Sequence, residues 1–234
     1  MKRVREASDK EACPQAGFKK KRRQLSFDWL LHPHDNLTHF QQWVINLDWS
    51  RSPLGQIKSW PLQLRQMVLM VMSDPTPAVI YWGTTPIMVY NEAYTKIIGD
   101  KHPAMQGQDP RTGFPDLWPY FDELLTNQRA NGKTVLETKS EMMIHRRGFL
   151  EEVFFDWKFT PIIGSDGEIV GAHATVADKT REVFSDRQLD TVLALSQQLS
   201  ECRTVEDLCQ CFILLVFLID QHISACLAIL GFRC

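Results

Sequence analysis

Two segments near the N-terminus of the chain carry apolar residues at helical spacing. In residues 37–47, apolar side chains recur every three or four positions, which predicts a helix. A second segment begins at Pro61, since proline fits the first turn of a helix, and ends before the turn-forming sequence Asp74-Pro75-Thr76-Pro77. We therefore predict a helical lead-in over residues 36–74.

The pattern then changes to short apolar runs that are typical of strands. The runs at residues 78–82 and 86–90 flank Gly83-Thr84-Thr85, which predicts a β-hairpin. A short helix is predicted over residues 91–98 and a longer one over residues 120–131, because Gly99 and Gly132 suit the C-terminal caps of helices.

Three more strands are predicted after residue 132. In the clearest of them every second residue from Val153 to Phe159 is large and apolar, which indicates an antiparallel strand with one buried face. The last strand shows the same alternation from Val170 to Val176. This order of elements predicts an α+β fold, with a five-stranded antiparallel sheet, short helices on one face and a pocket between the two layers.

A final helix follows the sheet. A capping box from Ser185 to Gln188 predicts its start, and the helix is assigned to residues 183–203. Its apolar residues form a narrow stripe suited to pairing with a partner helix: Leu189, Val192, Leu195 and Leu199. Residues 204–234 begin with a second capping box and then become strongly apolar, which we interpret as an incomplete domain segment.

Charge is unevenly distributed along the chain. The first 24 residues carry nine Lys or Arg and three Asp or Glu, so the remainder has a net charge of −8 against −2 for the whole chain. An acidic body argues against nucleic-acid binding, which needs concentrated positive charge. Residues 1–35 are predicted to be a basic disordered tail. We expect a cytoplasmic protein, with nuclear import as the alternative suggested by the run Lys19-Lys20-Lys21-Arg22-Arg23.

The six cysteines also limit the class of protein. None lies between residues 14 and 201, so no disulfide framework holds the centre of the chain, and a reducing intracellular compartment is expected. No apolar stretch follows the basic N-terminus as in a secretory signal. Asp220 interrupts the apolar residues 212–232 at a cost of roughly 3 kcal/mol for membrane insertion, which favours an unfinished core segment over a membrane span.

Several motifs resemble those of PAS domains, in the same order along the chain. They are Ile80-Tyr81-Trp82-Gly83 and Val89-Tyr90-Asn91-Glu92-Ala93-Tyr94, the loop Gly99-Asp100-Lys101-His102-Pro103, and the exit motif Asp178-Lys179-Thr180. The resemblance covers about residues 45–205 and is to the PAS domain at the N-terminus of fungal and bacterial PAS–GAF hybrid histidine kinases. It implies a PAS domain over residues 75–182, a signalling helix over 183–203 and the start of a GAF domain after 204, truncated before the kinase core.

The resemblance implies a sensor that regulates a two-component phosphorelay through a ligand- or partner-dependent rearrangement of a dimer. The expected partners are a second copy or a full-length kinase, bound through the PAS domain and its exit helix. No catalysis is expected in this chain, because the phosphoacceptor histidine setting and the Gly-rich ATP motifs are missing from the sequence. The alternatives are a stand-alone interaction module without a ligand and, less favoured, a small enzyme that uses the pocket.

Seven residues are candidates for contact with a small-molecule ligand, with plain core packing as the alternative: Trp82, Tyr90, Asn91, Tyr94, Trp118, Phe155 and Trp157. The chemistry of a cysteinyl-flavin is excluded, because it needs a cysteine in the core. A haem would need His102 as its axial ligand, whereas a hydrogen-bonding role in a loop is more usual for such a residue. No metal site is expected, since His32-Pro33-His34 lacks further ligands at metal-binding spacing.

Overall fold

The computed structural model describes residues 27–146 and 148–205, and it begins with a helical lead-in. Helices α1 (His39–Asn46) and α2 (Leu62–Ser73) are joined by two 3₁₀ turns, Trp49–Arg51 and Ile57–Ser59. The side chains and backbones of Thr38 and Gln41 form a capping box that begins α1. Trp29 and Leu30 are buried, so ordered packing begins ahead of residue 36.

Five strands form one antiparallel sheet. They are β1 (Ala78–Trp82), β2 (Ile87–Tyr90), β3 (Val135–Arg146), β4 (Phe149–Ile163) and β5 (Ile169–Asp178). Their order is β2-β1-β5-β4-β3, and every neighbouring pair is antiparallel. This confirms the α+β class and the five-stranded PAS fold expected from the sequence.

The segment between β2 and β3 contains the short helices. They are α3 (Thr95–Ile98), a 3₁₀ turn (Gly99–Lys101), α4 (Pro110–Gly113) and α5 (Trp118–Asn131). Helix α5 ends where Gly132 adopts a left-handed conformation with φ of 63° and donates its N–H to the Gln128 carbonyl, as the sequence predicted. The predicted helix over residues 91–98 is shorter, because the Asn91 side chain accepts the Tyr94 N–H and forms a turn in front of α3.

The core is divided by the sheet into two clusters. The inner cluster lies between the sheet and helices α3 and α5, whereas the outer cluster lies between the opposite face of β1 and β2 and helices α1 and α2. Alternate residues of β1 belong to different clusters. Val79 and Tyr81 pack in the inner cluster, and Ala78 and Ile80 pack in the outer cluster. Both faces of this part of the sheet are therefore covered.

Helix α6 (Thr180–Glu201) leaves the sheet immediately after β5. The sequence placed its start at the Ser185 capping box, and this prediction is wrong because Ser185 lies in the second turn. The helix begins at Thr180, after the N-cap residue Lys179, and the Asp178 carboxylate accepts the Thr180 backbone N–H at this start. Residues 206–234, and with them the predicted GAF start, lie outside the described residues.

Candidate ligand cavity and exit junction

A small cavity lies inside the inner cluster, between the sheet and helices α3 to α5. Its volume is about 30 Å³, enough for about two water molecules. Thirteen described residues line it: Tyr81, Met88, Tyr94, Ile97, Ile98, Pro110, Phe114, Leu117, Trp118, Phe121, Met142, Ile144 and Trp157. None of these thirteen is Asp, Glu, Lys, Arg or His, so the wall is uncharged at neutral pH.

Four of the seven sequence-predicted residues lie in or beside this cavity. Tyr94, Trp118 and Trp157 line it, and Phe155 is fully buried in the inner cluster with its ring 5.7 Å from the Trp157 ring. The alternation of β4 explains the position of two of them, since it puts Phe155 and Trp157 on one face. The ligand role of these residues remains a prediction.

The structure places the other three residues elsewhere. Trp82 lies on the opposite face of β1 and packs against the outer cluster. Asn91 is buried, and both polar atoms of its side chain are used in hydrogen bonds to backbone groups. Tyr90 places its hydroxyl 3.1 Å from His102 Nδ1, outside the cavity wall. The structure therefore does not bring Trp82, Tyr90 and Asn91 into the cavity wall.

Tyr81 is the polar wall residue that the sequence did not identify. Its hydroxyl lies 3.5 Å from that of Tyr94, and both side chains are buried. Burial raises the pKa of Tyr81 to about 12 and the pKa of Tyr94 well above its usual range, so both hydroxyls keep their protons at physiological pH. A two-residue periodicity could have found Tyr81 only if the inward face of β1 had been known.

Trp157 contributes a third polar group to the wall. Its side chain is 4% exposed, and its indole N–H has no hydrogen-bond partner among residues 27–146 and 148–205. The ring packs at 5.2 Å from Phe121 and 5.7 Å from Phe159. A buried donor without an acceptor costs free energy, about 1–3 kcal/mol, which makes this N–H the natural point for contact with a bound molecule.

The wall does not fit the two larger cofactors considered from the sequence. A flavin or a haem is many times larger than the cavity. The described lining residues also offer no thiol for a flavin adduct and no imidazole for a haem iron. His102 instead packs beside Trp43 of the lead-in, with ring centroids 5.0 Å apart, and its burial lowers its pKa, which favours the neutral imidazole.

Gln128 is a second buried polar group without a partner, on the inner side of α5. It is fully buried, and neither its amide nitrogen nor its amide oxygen has a hydrogen-bond partner within the described part of the chain. We expect Gln128→Leu to raise the free energy of unfolding by about 1–2 kcal/mol, because an apolar side chain of similar size removes both unpaired groups.

Urea unfolding of the two proteins measures this change. Gln66→Leu, at an exposed position of α2, is the matched control and should alter stability by less than about 0.5 kcal/mol. A loss of stability in Gln128→Leu would mean that the amide is satisfied in solution.

The exit motif joins β5, β4 and α6 in one junction. Thr180 Oγ1 accepts the backbone N–H of Phe154 at 3.0 Å, and the Lys179 N–H donates to the Phe154 carbonyl at 2.7 Å. Phe154 lies on β4 between Val153 and Phe155, which belong to the inner cluster. The start of α6 is therefore hydrogen-bonded to the strand whose inner face lies beside the cavity.

The first turns of α6 are also held by side chains. The Phe184 ring packs edge-on at 6.0 Å from Phe154, and the Arg187 guanidinium lies 4.8 Å above the Phe154 ring and 3.1 Å from Glu152. Beyond Arg187 the apolar stripe is open to solvent: Leu189 is 58% exposed, Val192 61% and Leu199 45%, with Leu195 half-buried.

Neither a membrane helix nor a metal cluster is found among the described residues. No helix there is both long and apolar enough to cross a bilayer. No group of three or more His, Cys, Asp or Glu side chains in residues 27–146 and 148–205 is arranged to hold a metal ion. The apolar residues 212–232 lie outside the described part of the chain.

Comparison with known proteins gives similarity of fold at low sequence identity. No family model and no curated protein matches the chain. The PAS domain of BvgS from Bordetella pertussis is 22% identical over 56% of this chain and 97% of that one, with a TM-score of 0.42.

Two further solved structures are comparably similar. A sensory box sensor histidine kinase from Vibrio cholerae is 21% identical over 49% of this chain and 89% of that one, with a TM-score of 0.36. An RNA-binding light-oxygen-voltage receptor is 16% identical over 62% of this chain, with a TM-score of 0.42, and the match spans 41% of the receptor's length.

Proposed function

We propose that the chain is a sensory PAS module of a two-component phosphorelay, without catalysis of its own. In this proposal a ligand or partner changes the packing around Trp157, and α6 passes the change to a second copy or to a full-length kinase. The observation that carries the proposal is the exit junction, because β4 lines the cavity on one face and holds α6 on the other.

The apolar stripe of α6 supports pairing with a second copy. Leu189, Val192 and Leu199 are large apolar side chains exposed on one helix that is already anchored at its N-terminal end. Exposed apolar surface of this kind is unfavourable in an isolated chain and becomes favourable when an identical helix covers it. A parallel pair would bring the two junctions side by side, so a shift in either sheet would change the pairing.

The double variant Leu189→Glu/Val192→Glu tests the pairing. We expect the full-length chain to self-associate and the variant to be monomeric over the same concentration range. Burial of each Leu or Val contributes about 1.5–3 kcal/mol, so loss of both from each helix should raise the dimer dissociation constant by at least about a hundredfold. Sedimentation velocity over a concentration series measures the effect.

A matched control separates the stripe from exposed apolar surface in general. Leu62 and Met70 lie on α2 and are 54% and 48% exposed, so Leu62→Glu/Met70→Glu introduces the same charges on another helix. This control should associate like the unmodified chain. Equal behaviour of the two double variants, or a monomeric unmodified chain, would contradict the proposed pairing.

The small volume of the cavity favours one alternative, an interaction module that needs no ligand. Such a module would self-associate in the same way, but no small molecule would stabilise it. A sensor must gain stability from the molecule that it binds. Thermal unfolding in the presence of candidate ligands therefore distinguishes the two functions.

A further inference from the structure

The hydrogen-bonding groups in the cavity wall are unbalanced in favour of donors. Among the described lining residues, side-chain N–H and O–H groups are carried by Tyr81, Tyr94, Trp118 and Trp157, and the Trp118 N–H is not among the buried groups without a partner. The two tyrosine hydroxyls pair with each other, so whichever one donates, the proton of the other has no acceptor in the described part of the chain. The Trp157 indole N–H is likewise unpaired there. The wall thus contains two buried hydrogen-bond donors that have no acceptor in the described part of the chain.

This imbalance limits the chemistry of a bound molecule. An ionised ligand would be buried among apolar side chains without a counter-charge in the wall, which is costly. A ligand whose polar group is mainly a donor would leave the indole N–H unpaired. A carbonyl oxygen has two lone pairs and no proton, so it can satisfy donors without creating a new unpaired one.

We propose that the cavity binds a small, neutral, largely apolar molecule that carries a carbonyl group, and that the indole N–H of Trp157 donates to its oxygen. This inference rests on the proposed sensory function and names the class of ligand that is sensed. The present volume of about 30 Å³ holds only about two water molecules, so even a compact ligand needs side chains of the wall to move. Met88 and Met142 in the wall supply flexible thioether side chains that can rotate to make room for it.

The test uses two probes of nearly the same shape, cyclohexanone and methylenecyclohexane, which differ by a C=O group in place of C=CH₂. The affinities of the full-length chain for both are measured by NMR titration, and the ratio of the two is compared with the ratio in Trp157→Phe. The comparison cancels the difference in hydration between the probes. We expect the preference for the ketone to fall by about tenfold in Trp157→Phe, in keeping with the loss of one buried hydrogen bond.

Trp118→Phe is the matched control, because it removes an indole from the same wall and leaves the Trp157 N–H in place. Its preference for the ketone should equal that of the unmodified chain. In the unmodified ¹⁵N-labelled chain, the Trp157 indole N–H resonance should move downfield with cyclohexanone and not with methylenecyclohexane. This readout decides the matter even if Trp157→Phe does not fold.

Three results would overturn the ligand class: binding of neither probe, an unchanged ratio in Trp157→Phe, or the same indole shift with both probes. These results are independent of the self-association of α6. A chain that pairs through α6 but does not prefer the ketone would retain the sensory proposal and lose the carbonyl ligand. A chain that prefers the ketone but stays monomeric would retain the carbonyl ligand and lose the proposed pairing through α6.

Discussion

Replacement of Asn91 by alanine is expected to lower the free energy of unfolding by about 4 kcal/mol. The Asn91 side chain connects the end of the lead-in to the start of the sheet. Its Oδ1 accepts the backbone N–H groups of Ala78 and Tyr94 at 3.1 and 3.0 Å. Its Nδ2 donates to three backbone carbonyls, those of Val71, Asp74 and Thr76, at 3.2, 2.9 and 2.7 Å.

The large size of the effect follows from burial. Asn91 is 2% exposed, so water cannot replace the bonds that alanine would lose. Each buried backbone group left without a partner costs about 1–3 kcal/mol, partly offset by local relaxation. Helix α2 would also lose its polar connection to β1, so we expect the outer cluster to loosen before the inner one.

Urea unfolding followed by tryptophan fluorescence measures the loss. Asn127→Ala on the exposed side of α5 is the matched control, and it should change stability by no more than about 0.5 kcal/mol. Similar stabilities of Asn91→Ala and Asn127→Ala would show that the Asn91 bonds contribute little to folding.

Gly171→Ala is expected to cost about 3 kcal/mol, although it adds a single methyl group. Gly171 lies on β5 opposite Trp82 of β1. A Cβ at this position would lie 2.5 Å from the carbonyl oxygen of Tyr81, a backbone atom held in the central part of the sheet. The two strands would have to separate, and the Tyr81 ring in the cavity wall would move with its backbone.

Gly132→Ala is the control for this variant. Gly132 has a left-handed φ of 63°, but a Cβ there would meet no atom within 4 Å. It should therefore cost only the conformational penalty, about 1 kcal/mol. Thermal unfolding ranks the two variants, and near-ultraviolet circular dichroism should report a changed environment of Tyr81 in Gly171→Ala alone. The opposite order of stability would mean that the strands separate at little cost.

The sequence predicted the secondary structure better than it predicted the cavity. Strand β4 has one strongly apolar face, so its alternation correctly put Phe155 and Trp157 in the inner cluster. In β1 no such signal exists, because residues of both faces are buried. Periodicity therefore could not distinguish the two faces, and the structure places Tyr81 in the cavity wall and Trp82 against the outer cluster.

Irregularities of the backbone caused the other differences. Alternation along β5 put Val170 on the same face as Ala172. A bulge pairs Ile162 with Gly171 and Ile163 with Ile169, so Val170 has no paired residue on β4, and it packs against the outer cluster instead. A bulge is selected by contacts between strands, and such contacts leave no periodic signature within one strand.

The sequence by itself determined the α+β class, the first hairpin, the Gly132 helix cap and the apolar stripe of the last helix. These features depend on local propensity and on periodicity, which neighbouring residues encode. The tertiary structure alone decided that Asn91 joins α2 to β1, that Tyr81 faces the cavity, and that α6 begins at Thr180 beneath Phe154. Each of these is a contact between residues distant in the chain, and its energy depends on burial that exists only once the layers have packed.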